Sequence, residues 1–184
     1  MTGLASRSQL RSSYLRWALF TVPLVLFLGT LSGRLAGSGY GNPWFDALAK
    51  PDLMPPGWVF GVAWTALYIL LGLSLAMVLN ARGAEGRTAA IALFLAQLAL
   101  NYAWSPVFFA FHRVGTALII LLVMIGLTVG VMLLFRRIRP VAALLLLPYL
   151  AWLCFAAWLT FDIGRLNPEA AQLAPDEASS DIAF

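Results

Sequence analysis

Five stretches of roughly 20 mainly apolar residues divide this chain, and each is long enough for an α-helix to cross the hydrocarbon core of a bilayer. They run from about Trp17 to Leu35, Trp58 to Leu79, Ala89 to Phe111, Gly115 to Phe135 and Val141 to Ile163. Only helices and closed barrels satisfy all their backbone hydrogen bonds in lipid. The sequence therefore predicts an all-α integral membrane protein, a bundle of five transmembrane helices.

The composition agrees with a membrane location and excludes several classes of protein. Of the 184 residues, 61% are hydrophobic and 11% are charged, whereas a soluble domain carries about a quarter charged residues. Nucleic-acid-binding domains and most soluble enzymes are thereby excluded, so no nucleic-acid partner is expected. With so few charges, the net charge of +4 is informative about membrane topology instead.

The connections between the apolar stretches are short, so successive helices should lie antiparallel. We expect a cytoplasmic segment over residues 1–16, a membrane domain over residues 17–166 and a disordered polar tail over residues 167–184. The basic residues ahead of the first stretch resemble the start of a signal peptide. Because that stretch reaches full membrane length, we expect it to be retained as a transmembrane helix.

The basic residues predict the orientation of the bundle, because cytoplasmic loops carry an excess of Lys and Arg. Eight flank the side of the N-terminus: Arg7, Arg11, Arg16, Arg82, Arg87, Arg136, Arg137 and Arg139. Four flank the opposite side: Arg34, Lys50, Arg113 and Arg165. The N-terminus is therefore predicted to be cytoplasmic, with the C-terminus and the first loop outside.

The first loop, residues 37–57, is predicted to contain a short helix. Asn42 can cap it, Pro43 suits its first position and Pro51 ends it. Asp46 and Lys50 stand four residues apart in the favourable order for an ion pair. The loop is either an interfacial anchor that uses Trp44 and Phe45 or a rigid lid over a cavity between the helices.

Polar and aromatic residues share one face of the third helix, at the positions of Gln97, Asn101, Trp104 and Phe108. Amides that faced lipid would lack partners, so this face should point inward. The amides either bond to neighbouring helices or orient a ligand in a largely apolar pocket. Pro106 removes a backbone donor and predicts a bend near the outer end of this helix.

Aromatic residues also lie at helical spacing on the second helix, at Trp64 and Tyr68, and on the fifth, at Trp152. Such stripes more often serve packing than ligand binding. The chain holds one histidine and one cysteine, which do not suffice for a typical zinc or haem site. We therefore expect no metal site and no catalytic residues.

Small residues recur every four positions in or next to three of the predicted helices, at Gly29, Gly33 and Gly37, at Gly126 and Gly130, and at Ala92 and Ala96. Small residues at this spacing permit close helix approach, either within the bundle or between subunits. A homodimer in the lipid bilayer is therefore expected.

Several motifs taken together resemble one known family. They are Pro43-Trp44-Phe45, Lys50-Pro51, Pro55-Pro56-Gly57-Trp58-Val59-Phe60, Val62-Ala63-Trp64-Thr65-Ala66-Leu67-Tyr68, the third-helix run from Gln97 to Phe109, and Pro148-Tyr149-Leu150-Ala151-Trp152. Across residues 40–167 the chain resembles the tryptophan-rich sensory protein/peripheral benzodiazepine receptor (translocator protein, TspO/MBR) family. The combination of these motifs is more specific than any one of them.

The resemblance implies a usually dimeric five-helix membrane protein with a ligand pocket beneath the first loop. It implies a receptor or transporter that binds porphyrins and related tetrapyrroles, with sterols as ligands of eukaryotic members. A haem-type tetrapyrrole would then be a ligand, and no obligatory cofactor is expected. The alternatives are a light-dependent porphyrin-degrading enzyme and a membrane assembly factor without a ligand.

The residue pattern and the resemblance together give three sets of candidate site residues. The ligand-binding set is Trp58, Trp64, Tyr68, Gln97, Asn101, Trp104, Trp152 and Ala156. The set that resembles the family's sterol motif is Leu159, Phe161 and Arg165, and the lid set is Trp44, Pro55 and Pro56. Phe161 stands where the animal sterol motif has a tyrosine, so a tetrapyrrole is favoured over a sterol.

Overall fold

The computed structural model describes the backbone of residues 7–173 and the side chains from residue 12 onward. Its helices are α1 (Arg7–Leu35), α2 (Pro43–Ala47), α3 (Gly57–Asn80), α4 (Arg87–Ser105), α5 (Val114–Ile138), α6 (Pro140–Leu144) and α7 (Leu147–Leu166). A π-helical turn (Pro106–Ala110) extends α4, and α6 leads directly into α7. Within the described residues, five helical segments are long and apolar enough to cross a membrane. The predicted all-α five-helix bundle is confirmed.

Close packing of α1 against α3 depends on glycine. A Cβ atom on Gly72 would lie 2.6 Å from the Cα atom of Val22, so only glycine lets the two backbones approach this closely. The hydroxyl of Thr21 donates a hydrogen bond of 2.8 Å to the carbonyl of Gly72 at the same crossing. On the next turns of α1, the ring of Tyr68 fills the space that a side chain on Gly29 would need. The glycine spacing of α1 therefore serves contacts within the bundle.

The predicted bend at Pro106 is a full π-helical turn. The backbone N–H of Phe111 reaches back to the carbonyl of Pro106 at 2.9 Å, which closes the wider ring of this turn. The altered register brings Phe108 and Phe109 to buried positions next to each other, with ring centroids 4.8 Å apart. The turn thus directs two adjacent aromatic side chains into the bundle at its loop end.

The first loop folds as the capping pattern predicts, with one correction. Asn42 accepts a hydrogen bond of 3.1 Å from the backbone N–H of Phe45, so it caps α2. The helix ends at Ala47, and Lys50 does not pair with Asp46. Its ammonium group donates instead to the carbonyls of Phe45, Asp46 and Leu48, where it caps the C-terminal end of the helix.

The start of the predicted disordered tail is ordered in the structure. Asn167 donates to the carbonyl of Ala49 and accepts from its N–H, at 2.9 and 2.8 Å. A 3₁₀ turn (Ala170–Leu173) follows, and the carbonyl of Ala170 accepts a hydrogen bond from the indole of Trp44. These contacts offset the entropy that a free tail would keep. The rest of the predicted tail, residues 174–184, lies outside the described residues.

Candidate functional site

A cavity of about 600 Å³ lies beneath the first loop, between α1, α3, α4, α5 and α7. This volume falls within the range of small-molecule binding sites, and most of the lining side chains are apolar or aromatic. We call this space the lid cavity and residues 37–57 the lid loop. Its walls, floor and roof come from different elements, which are described in turn.

One wall of the lid cavity is built from aromatic side chains of α3 and α7. Trp64 stacks on Tyr68, with ring centroids 5.3 Å apart and planes inclined by 30°. The same indole meets Trp152 edge to face at 6.3 Å, and Phe60 meets Trp152 at 5.8 Å. Trp64 and Trp152 are half-buried and line the cavity, as does Ala156 one turn further along α7. This wall offers extended π surface to the cavity.

The opposite wall comes from the end of α4 and the π-helical turn. Trp104 and Phe108 lie nearly parallel, with ring centroids 5.1 Å apart and an interplanar angle of 13°. The indole Nε1 of Trp104 is buried and has no hydrogen-bond partner among the residues that the structure describes. A buried donor without an acceptor costs free energy. This N–H therefore lacks a partner at a point that solvent does not reach.

The floor of the lid cavity is a hydrogen-bonded layer of amides and phenols. Tyr68 donates to the Oδ1 atom of Asn101, and the Nδ2 atom of Asn101 donates to the hydroxyl of Tyr149, both at 3.0 Å. Gln97 donates to the same hydroxyl from below. Asn101 and Tyr68 line the cavity, whereas Gln97 and Tyr149 do not. The prediction that Gln97 faces the ligand is corrected, because its amide is engaged in the layer beneath.

The roof is the lid loop, which buries both residues that could have been interfacial anchors. Phe45 lines the cavity, and Trp44 is buried between Phe108 and His112, with ring centroids 5.4 and 4.5 Å away. Of the predicted lid residues, Trp44 thus anchors the loop from behind and does not line the cavity. The carbonyl of Pro55 accepts from the hydroxyl of Tyr40 at 3.1 Å, and Pro56 directly precedes α3. These contacts favour the lid over the anchor.

Trp58 is the predicted ligand-binding residue that the structure places elsewhere altogether. It lies on the outer face of α3, 71% exposed, and does not line the lid cavity. Trp64, six residues later, is on the inner face because six residues do not return a helix to the same side. The prediction for Trp58 is therefore corrected to a surface position.

The three residues that resemble the sterol motif also diverge. Leu159 is buried and lines the lid cavity. Phe161 is 51% exposed, and Arg165 is exposed and pairs with Asp162 at 3.4 Å. Both line a separate outer groove beside His112. The structure thus does not bring the three residues together on one site.

The residues of α1 also contribute to the site, which the sequence pattern does not predict. Gly29, Thr30, Gly33 and Arg34 line the lid cavity, with Thr65 and Thr160 contributing hydroxyl groups from α3 and α7. The glycine spacing of α1 was a signal for this face, since glycines spaced by four mark the side on which another group approaches. The spacing alone does not distinguish a neighbouring helix from a cavity.

A model of the TspO/MBR family matches residues 20–166 of the chain. The chain is 39% identical to the tryptophan-rich sensory protein of Cereibacter sphaeroides over 84% of its own length and 96% of the relative. It is 37% identical to the translocator protein of Homo sapiens, over 76% of this chain and 84% of the relative. The tryptophan-rich protein TspO of Archaeoglobus fulgidus is 36% identical over 67% of this chain.

Proposed function

The chain belongs to the TspO/MBR family, and from the geometry of the lid cavity we propose that it binds porphyrins and related tetrapyrroles there, as a receptor or transporter with a regulatory role. The observation that carries this proposal is the aromatic wall of Trp64, Tyr68 and Trp152 on a cavity of about 600 Å³. The relative in Cereibacter sphaeroides is named a sensory protein, which agrees with a regulatory role.

A tetrapyrrole suits the lid cavity in shape and in polarity. Its flat apolar ring can stack on indole faces, and stacked aromatic pairs gain roughly 0.5–1.5 kcal/mol beyond the burial of their surface. Thr65, Asn101 and Thr160 bring polar groups to the same lining, where they can meet the polar edge of the ligand. An apolar pocket with a few directed polar groups is the usual design of a small-molecule site.

The test is a titration of the purified protein with protoporphyrin in a neutral detergent, followed by the absorbance of the porphyrin. We expect saturable binding, and we expect Trp64→Ala and Trp152→Ala each to weaken it more than tenfold. Trp58→Ala and Trp158→Ala are matched controls, because both indoles lie outside the cavity lining and are exposed. These controls should bind as the unchanged protein does.

Unchanged affinity in both Trp64→Ala and Trp152→Ala would remove the lid cavity as the site. Complete absence of saturable binding, together with a tight protein partner on affinity purification, would favour the ligand-free assembly factor. Binding that depends on Trp58 would place the ligand on the outer face of α3.

Light-dependent porphyrin breakdown is a second candidate, favoured by the contact between Trp64 and Trp152 in the cavity wall. Indoles are oxidisable, and a photoexcited ring held against this pair would have an electron donor within contact distance. Illumination of the protein–protoporphyrin mixture in air would then bleach the porphyrin band. Bleaching that is equally fast with Trp152→Phe, or in the dark, would exclude this function.

Orientation and oligomeric state belong to the same proposal. With five spans, we place the N-terminus in the cytoplasm and the lid loop and C-terminus outside, as the basic residues predict. A reporter enzyme that is active only outside the cytoplasm should be active when it is fused to the C-terminus.

We also propose a homodimer. Ala92, Ala96 and Gly126 are exposed in the single chain and available for contact with a second copy.

A further inference from the structure

Arg34 is the one formally charged side chain that lines the lid cavity within the described part of the chain. It lies in the last turn of α1, four residues after Thr30, which lines the same cavity. The residue is exposed, so its side chain lies at the mouth of the cavity, where the aromatic interior opens to the outside. An apolar cavity with a single cation at its entrance is asymmetric in charge.

The side chain of Arg34 makes no hydrogen bond or ion pair within the described residues, in contrast to Lys50 and Asp46 of the lid loop. Lys50 donates to three backbone carbonyls, and the carboxylate of Asp46 accepts from the N–H of Gly41 at 2.9 Å. Among residues 12–173, the one ion pair joins Arg165 and Asp162, and no side-chain hydrogen bond involves the Arg34 guanidinium. The N–H groups of the Arg34 guanidinium can therefore donate to an acceptor on a ligand.

We propose that Arg34 is a specificity-determining residue that selects cavity ligands carrying a carboxylate. This inference rests on the proposed function, since it concerns which tetrapyrroles and other flat ring compounds the same site prefers. The apolar ring would lie against Trp64 and Trp152, and the acidic group would pair with the guanidinium at the mouth. Guanidinium and carboxylate form bidentate, charge-assisted hydrogen bonds, which an ester cannot match.

The expected effect is moderate, because the mouth is open to water. An exposed ion pair is weak, and partial burial by the ligand ring strengthens it. We therefore expect a preference of about five- to tenfold for the acid over its ester. Salt screens pairs of this kind, so the preference should shrink as ionic strength rises.

The experiment compares protoporphyrin IX with its dimethyl ester, which differ in charge but share the ring. Both are titrated in a neutral detergent against the unchanged protein, Arg34→Gln, Arg34→Lys and Arg34→Glu. Arg34→Gln should lose the preference for the diacid and keep the affinity for the ester, Arg34→Lys should retain part of it, and Arg34→Glu should reverse it. Unchanged ester affinity also shows that each variant is folded.

Arg113→Gln is the matched control, since Arg113 lies on the same predicted side of the membrane but lines only the outer groove. It should keep the full preference for the diacid. Equal affinity of the unchanged protein for diacid and ester would overturn the role of Arg34 and leave tetrapyrrole binding standing. An equal loss of affinity for both ligands in Arg34→Gln would do the same. If neither ligand binds the unchanged protein, tetrapyrrole binding itself fails.

Discussion

The two ends of the bundle use aromatic side chains in opposite ways. At the end away from the lid loop, Phe94 and Phe135 stack with centroids 5.6 Å apart and planes inclined by 12°, and both are fully buried. At the lid end, Trp64 and Trp152 also touch, but each leaves part of its ring facing the lid cavity. The amide and phenol layer around Asn101 lies at the floor of that cavity.

The difference teaches that aromatic content does not by itself define a binding site. What separates the two ends is the backbone around the rings. At the lid end, small residues of α1 and the π-helical turn of Pro106–Ala110 hold the helices so that a space is left between aromatic walls. At the closed end, α4, α5 and α6 pack side chain to side chain, with Ala90 and Ala142 fully buried among the rings.

The largest effect that tests this comparison is expected from Phe94→Ala. Removing a fully buried ring from the closed end leaves a void and should lower the free energy of unfolding by roughly 3 kcal/mol. Trp64→Ala removes a larger ring that already faces a cavity, so its cost in stability should be clearly smaller. Thermal unfolding in detergent measures both, and a larger loss for Trp64→Ala would contradict the distinction between the ends.

The second effect concerns the close crossing of α1 and α3. Gly72→Ala places a Cβ atom 2.6 Å from the backbone of Val22, and overpacking of this kind costs about 1–3 kcal/mol. Gly115→Ala is the matched control, because a Cβ built there meets no side chain and no neighbouring helix within 4 Å. The control should leave the unfolding temperature unchanged or raise it. A Gly72→Ala protein as stable as the control would show that the crossing adjusts without cost.

Much of the fold could be predicted from the sequence because bilayer thickness and helix geometry leave few choices. Roughly 20 apolar residues specify a span, and the cap at Asn42 specifies the short helix of the lid loop. The ordered segment from Asn167 to Leu173 could not be predicted, because its polar composition resembles that of a free tail. Its order depends on partners in the lid loop, Trp44 and Ala49, more than 100 residues away.

The candidate site could be predicted only in part, because helical periodicity does not say which face of a helix is inside. Trp64 and Trp152 line the cavity as the resemblance implies, but Trp58 faces outward. Gln97 shares a face with Asn101, yet it lies one turn deeper, where Tyr149 occupies the space. In the sequence, Arg34 is informative only about membrane orientation, because its place at the cavity depends on how α1 packs on α3.

A smaller effect is expected from Tyr149→Phe, which removes the hydroxyl that accepts from both Gln97 and Asn101. Hydrogen bonds between membrane helices contribute about 0.6 kcal/mol each on average, so stability should fall by about 1 kcal/mol. Porphyrin affinity should hardly change, since Tyr149 does not line the cavity. Tyr102→Phe, which loses one hydrogen bond to the carbonyl of Val25 and does not touch the cavity lining, is the control for the floor. A large loss of affinity in Tyr149→Phe would show that the layer shapes the cavity.

The smallest change in stability, but a distinct kinetic effect, is expected from Asn167→Ala. This substitution removes both hydrogen bonds that tie the C-terminal end of α7 to Ala49 of the lid loop. If these bonds keep the lid loop closed, their loss lets it open more often, because the closed loop loses about 1 kcal/mol relative to the open loop.

Because an open lid loop admits and releases ligand alike, both porphyrin rates should then rise about fivefold while the dissociation constant changes little. Stopped-flow mixing measures the two rates. Gln172→Ala is the control, since Gln172 is exposed in the same segment and should leave both rates unchanged. Unaltered rates in Asn167→Ala would contradict ligand entry beneath the lid loop. They would favour entry from the lipid, between the helices.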